Sequence, residues 1–198
     1  MTDDAVRADS VVTADSVVTE EDLRFLRELK VKDRLHDLEV AYCRGIDRRD
    51  AELLKSIYFE DAFVRLGDMK EGGVDEWVNW IIDEFKPRFE NTTHYLLNEW
   101  YKVDGKTAEG ETHRLSYHRF GDPSRELIAA SRTFNRYEER DGVWKITFRE
   151  VIRDWIHERP VDRDLFTGGF AMEMSEPGPA DKSYEVLSMF GRGPLRPE

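Results

Sequence analysis

The hydrophobic period of this 198-residue chain changes once, near Thr92, and that change limits the folds open to it. Before it, apolar residues recur at helical spacing; after it, they alternate. Thr19 followed by Glu20, Glu21 and Asp22 reads as a helix start, a hydroxyl cap with acids near the positive end of the dipole. Helical spacing then predicts a helix from Leu23 to about Ile46, with a break near Val31. Asp50 opens a second short helix carrying Leu53, Leu54 and Ile57. Tyr58 to Leu66 reads as a strand turning at Gly67-Asp68. A third helix is predicted from Val74 to Phe85, stopped by Pro87. Beyond Thr92 four strands are predicted, at 92–103, 107–120, 125–139 and 143–157. Asp104-Gly105 and Asp141-Gly142 are hairpin dipeptides, and Gly121-Asp122-Pro123 is a longer turn. Helices first and an antiparallel meander afterwards make an α+β layout. A curved sheet wrapped around helices leaves a cavity at its mouth, the usual place for a small-molecule site.

The flanks lack such periodicity. Residues 8–19 repeat a hexapeptide, ADSVVT-ADSVVT, and residues 1–19 are expected to form a flexible N-terminal arm. After Pro160 the chain is rich in Gly and Pro, so residues 161–198 read as an extended tail whose Phe170, Met172, Leu187, Met189 and Phe190 need something to pack on. The net charge of −12 argues against binding nucleic acid or an anionic membrane surface, both of which call for clustered Lys and Arg. No apolar run approaches the ~18 residues of a spanning helix, and no secretory signal opens the chain. The single cysteine, Cys43, excludes an internal disulfide framework, and a cytoplasmic protein is the default expectation.

Asp47 interrupts this pattern. On a wheel of about 100° per residue it falls between Val40 and Cys43, at the edge of the face formed by Ile46, Leu35, Tyr42, Val31 and Leu38. Burying an unpaired carboxylate costs several kcal/mol, so Asp47 needs a partner or a raised pKa. It could instead cap the next helix, but Asp50 is better placed for that. His94 is one candidate partner, on a strand whose face carries Thr92, His94, Leu96, Asn98 and Trp100. On the last strand, Thr147, Arg149, Val151, Arg153, Trp155 and His157 share a face. These two arginines either line an anion-stabilising wall or face solvent, and the pattern leaves both open.

The stretches "LHDLEVAYCRGIDRRDAELLKSIYFEDAFV", "TTHY" and "TFNRYEERDGVWKITFREVIRDW" together resemble the SnoaL-like branch of the nuclear transport factor 2-like superfamily. The resemblance spans roughly residues 22–157, and its domain is taken as residues 20–160. Its nearest enzyme branches are hexachlorocyclohexane dehydrochlorinase, bile-acid 7α-dehydratase, scytalone dehydratase and the lyases of lignin-derived diarylpropanes. The resemblance implies a cone-shaped α+β barrel with a deep pocket, and lyase chemistry with neither metal nor organic cofactor. Residue by residue, Asp47 and His94 match the dehydrochlorinase dyad and Arg149 its pocket arginine. Tyr42 and Asp47 match the tyrosine and aspartate of the bile-acid dehydratase, whose arginine falls at Arg153.

The chemistry this implies is an elimination or retro-aldol-type cleavage. His94 takes a proton, Asp47 fixes its tautomer, an arginine stabilises developing charge and Tyr42 protonates the leaving group. Pocket walls are expected from Tyr58, Phe63, Trp77, Trp80, Ile81, Phe85, Tyr95 and Trp100, which favour a bulky, hydroxylated aromatic or polycyclic substrate. The five histidines, His36, His94, His113, His118 and His157, show no zinc-type spacing. The resemblance also implies a homotrimer, or else a dimer, with the tail packed on a neighbouring subunit. Three rival classes remain: an isomerase or epoxide hydrolase, a non-catalytic binding protein, and the small subunit of a ring-hydroxylating dioxygenase.

Overall fold

The computed structural model describes residues 18–121, 125–161 and 175–195. The expected arm lies outside these residues except for Val18 and Thr19. Helix α1 runs unbroken over Glu20–Asp47, with no interruption at Val31. Thr19 and Asp22 cap it reciprocally, the Asp22 amide donating to the Thr19 hydroxyl at 3.1 Å and the Thr19 amide to the Asp22 carboxylate at 2.9 Å. Its N-terminal half leaves Phe25, Leu26 and Leu29 exposed, and its buried face begins at Leu35. The turn after α1 is tight. Arg49 takes a left-handed conformation, φ 49°, and Asp50 caps α2 (Ala51–Ser56) by accepting the Leu53 amide at 3.1 Å. Gly45 lets the two helices meet, since a Cβ there would lie 2.8 Å from Leu54.

Strand β1 (Tyr58–Leu66) turns into β2 (Lys70–Gly73), and α3 follows over Val74–Asn79. The helix predicted to reach Phe85 changes character at Trp80. Residues Trp80–Phe85 form π-helical turns and Lys86–Arg88 a 3₁₀ turn. Strands β3 (Phe89–Asp104), β4 (Thr107–Phe120), β5 (Arg125–Arg140) and β6 (Val143–Pro160) complete the meander. The six strands lie in the order β2-β1-β6-β5-β4-β3, all antiparallel except the β1–β6 pair. The sheet is mixed and open, so the expected barrel is not closed. Helix α1 packs across one face of it, and the core gathers Leu35, Leu38, Ile46, Leu54, Trp77 and Ile146 beneath that helix.

Residues 175–195, including the short α4 (Ser183–Val186), lie against their own chain. Arg48 pairs with Asp181 at 2.9 Å, Arg44 donates to the Ser183 hydroxyl at 3.0 Å, and Arg192 donates to the carbonyls of Arg48 and Arg49 at 3.0 and 2.9 Å. This described part of the tail therefore packs on the end of its own α1. Phe170 and Met172 lie outside the described residues. Among the described residues, no helix is long and apolar enough to cross a membrane.

Candidate active site

Two carboxylates, Glu39 and Asp47, project from α1 beneath the sheet, 0% and 7% exposed. Asp47 does not cap α2. Its Oδ2 accepts the backbone N–H of His94 at 2.8 Å, and its Oδ1 lies 2.6 Å from His94 Nδ1. The Thr92 hydroxyl donates to Oδ1 at 2.9 Å, and Lys86 Nζ donates to Thr92 at 3.0 Å. The result is a continuous buried line from Lys86 through Thr92 and Asp47 to His94. Burial pushes the Asp47 carboxyl up, but His94 and Lys86 outweigh it and hold the group ionised, below the usual carboxylate range. Burial, reinforced by Lys86, pushes the His94 imidazole below its ordinary value against the pull of Asp47. His94 is thus neutral at neutral pH. With an ionised carboxylate at Nδ1, that nitrogen carries the proton and Nε2 keeps its lone pair.

Lys86 reaches this line because of the π-helical turns. Their extra residue per turn changes the phase of the helix, and the Lys86 amide bonds back to the Ile81 carbonyl. Arg49 then pins the segment by donating to the Lys86 and Phe89 carbonyls at 3.2 and 2.8 Å. Lys86 is 1% exposed, and burial pushes its ammonium down to about 7.

His94 lines a cavity of about 420 Å³. Tyr42, Ile46 and Ile81 form its floor with Phe85, Lys86 and Phe89; Arg114, Ser116 and His118 come from β4; Leu127, Ala129 and Ser131 from β5; Val151, Ile152 and Arg153 from β6. Leu66, Gly67, Asp68 and Met69 complete the lining at the β1–β2 turn. The His118 ring stands edge-on to His94, centroids 5.3 Å apart, and burial pushes it well below its ordinary value. Among the described residues no three His, Cys, Asp or Glu side chains converge to hold a metal ion.

Of the expected site residues, Asp47, His94, Tyr42 and Arg153 meet at or beside this cavity, and Ile81 and Phe85 line it. Arg149 is absent from the lining. It is 0% exposed behind Tyr42, its guanidinium 4.0 Å from that ring, and donates to Glu39 at 2.6 Å and to Asn135 at 2.9 Å. Tyr58 and Trp77 are core residues packed edge-to-face at 5.9 Å, and Trp80 stacks on Phe85 at 5.2 Å outside the lining. Phe63, Tyr95 and Trp100 are exposed and do not reach the cavity. Trp100 turns out because β3 carries a bulge: Leu96 pairs with Arg114 but Glu99 with Thr112, so the alternation reverses between them.

Glu39, Lys86, Arg114 and His118 escaped the sequence reading. The wheel did carry a signal for Glu39, which sits about 80° from Asp47 and between Cys43 and Ile46. Arg114 and His118 belong to a period-two buried stripe on β4, Thr112, Arg114, Ser116 and His118, whose polarity disguised its inward direction. Glu39 accepts from Arg114, Arg149, Asn135 at 3.0 Å and Tyr137 at 2.9 Å.

Helices on an open, strongly paired mixed sheet, with a largely apolar cavity between them that carries a few buried polar groups, define an α+β fold. A family model of the SnoaL-like domain matches residues 27–150. Hexachlorocyclohexane dehydrochlorinase 1 of Sphingobium indicum is 33% identical over 130 residues, covering 62% of this chain and 80% of its own. The solved structure of a type 3 hexachlorocyclohexane dehydrochlorinase from Novosphingobium barchaimii superposes with a TM-score of 0.64 at 21% identity, covering 76% of this chain and 99% of that one. A nuclear transport factor 2-like protein with a cystatin-like fold from Novosphingobium aromaticivorans gives 0.60 at 18% identity, covering 68% and 90%. The chain belongs to the SnoaL-like family.

Proposed function

We propose that the protein is a cofactor-independent lyase that eliminates across a carbon–carbon bond of a bulky hydroxylated aromatic or polycyclic molecule. The observation that carries this reading is the 2.6 Å contact between Asp47 and a half-buried His94 that faces the cavity. His94 Nε2 removes a proton from carbon, and the C–H electron pair becomes the new double bond. The bond to the leaving group breaks, and that group departs with its electrons as halide or hydroxide. Asp47 stabilises the imidazolium as it forms. Tyr42, which burial keeps protonated, donates to a departing hydroxyl. Arg153, on the wall opposite α1, stabilises negative charge on the leaving side. A relative named for dehydrochlorination, 80% of it covered at 33% identity, supports the reaction class.

A double-mutant cycle tests the pairing. His94→Ala is expected to lower kcat by about 10²–10⁴-fold, and Asp47→Asn by a similar factor. The double variant is expected to be little worse than either single, because groups that act as a unit are non-additive. Fully additive losses would separate the two residues. Activity kept in His94→Ala would hand the proton to another group and move the reading to the isomerase class. A role in aromatic catabolism in the cytoplasm and a homotrimer, with dimer as alternative, belong to the same proposal. A monomeric mass by light scattering at micromolar concentration would overturn the assembly part alone.

A further inference from the structure

The buried charges around the cavity do not balance. Three cations, Lys86, Arg114 and Arg149, are 1%, 3% and 0% exposed, and the carboxylates that meet them are Glu39 and Asp47. Glu39 is shared by both arginines. Asp47 is already occupied by the ring and amide of His94. The remaining carboxylate on the cavity, Asp68, is exposed in the β1–β2 turn, on the same rim as the exposed Arg153. Hydrogen-bond partners are too few in the same place. An ammonium has three donors, yet among the described residues Thr92 is the partner found for Lys86. Arg114 engages Thr133 and Glu39 while its Nε has no partner among the described residues, and neither has Nδ1 of His118. Burying such groups unpaired is unfavourable, and in their unpaired state they favour a ligand that supplies acceptors and negative charge.

We infer that the cavity takes a substrate bearing an anionic oxygen group, a carboxylate or an ionised phenol, seated against Lys86 and Arg114. The inference deepens the lyase reading of this cavity and rests on it only for calling the ligand a substrate. Both side chains line the cavity that His94 faces, so one molecule can place its anion on them and its acidic C–H at Nε2. The groups that bear on Lys86 are Asp47 and Cys43 from α1, Arg49 from the turn, Thr92 and His94 from β3 and His118 from β4. Burial and Arg49 outweigh Asp47, so part of the Lys86 population has lost its proton near pH 7. An arriving anion restores that proton, whereas a neutral ligand of the same shape does not. The carboxylate or phenolate also lowers the cost of the cation pair, which binds the negative charge before and during proton removal.

The test is calorimetric titration of the full chain with 2-naphthoate and with 2-naphthamide, which share a ring system and differ in charge. Naphthoate is expected to bind at least tenfold tighter, with proton uptake at pH 8 read from the dependence of the heat on the buffer. In Lys86→Met and Lys86→Gln the preference is expected to shrink to a few-fold and the proton uptake to vanish. In His94→Ala the preference is expected to persist, so loss of turnover there tests the base and leaves anion selection intact. If Lys86→Met fails to fold by circular dichroism, Lys86→Gln and the proton count of the unmodified protein decide. Equal binding of the two probes, no naphthoate binding at millimolar concentration, or a preference unchanged in the folded Lys86 variants would overturn the inference.

Discussion

Glu39 and Asp47 stand two helical turns apart on the same face of α1, and their surroundings divide the molecule's polar interior in two. Glu39 is enclosed: two guanidinium groups, an amide and a phenol fill its coordination, and of these partners Arg114 alone reaches the cavity. Asp47 is held on one side only, by Thr92 and His94, and the ring it holds opens on the cavity. The first arrangement spends a carboxylate on anchoring the helix to β4, β5 and β6. The second spends one on orienting a base. A buried carboxylate therefore points to a general base only when its partner can turn a basic lone pair toward a cavity, as an imidazole can and a guanidinium cannot.

The sharpest way to break this contrast is at Glu39. Glu39→Gln is expected to destabilise the fold by roughly 3–5 kcal/mol in urea unfolding, because it strands two buried cations. Asp47→Asn is expected to stay folded and lose turnover instead. A stable, inactive Glu39→Gln would place Glu39 in the reaction and erase the distinction. The next effect separates the two arginines. Arg149→Met is expected to lower stability by at least about 2 kcal/mol, as buried Glu39 loses one of its two guanidinium partners, with kcat changed mainly through that loss. Arg153→Met is expected to leave stability within about 0.5 kcal/mol, as for an exposed side chain, and to lower kcat or raise KM. The opposite allocation would return the charge-stabilising role to Arg149.

The outline of the fold was legible from the period change, because long antiparallel strands with Asp-Gly turns have few alternatives. Strand β1 and the start of α2 were read to the residue for the same local reasons: an apolar strand and an aspartate cap. The meeting of Asp47, His94 and Tyr42 at one cavity was legible from the helical wheel and the motif resemblance together. What the period could not deliver were the places where it breaks. On β6, Tyr137 pairs with Ile146 but Arg136 with Phe148, so a bulge at Thr147 lets Ile146 and Arg149 both point inward. The bulge in β3 turned Trp100 out, and the π-helical turns swung Lys86 in. The stripe on β4 misled for another reason, since its inner face is polar and a polar face of a strand ordinarily means solvent.

A smaller effect sharpens the account of Lys86. Its folded pKa, about 7, lies below the ordinary lysine value near 10.4, so between these pH values the unfolded chain holds a proton that the folded chain releases. The contribution of Lys86 to stability is therefore greatest at high pH and falls as pH drops toward 7. Relative to Lys86→Met, the unmodified protein is expected to gain stability as pH rises from about 7 to 9. Parallel stability profiles for the two proteins would show that Lys86 stays charged in the folded state.

The central claim is that Asp47 holds His94 as a neutral base with its lone pair on Nε2, and nitrogen NMR of histidine-labelled protein reads this state directly. At pH 7 the His94 signals, identified by their loss in His94→Gln, are expected to show a protonated Nδ1 and an unprotonated Nε2. Titration is expected to place the imidazolium below the ordinary histidine value near 6.5, and Asp47→Asn is expected to disturb the tautomer. A His94 that is doubly protonated at pH 7, or that carries its proton on Nε2, would contradict the claim.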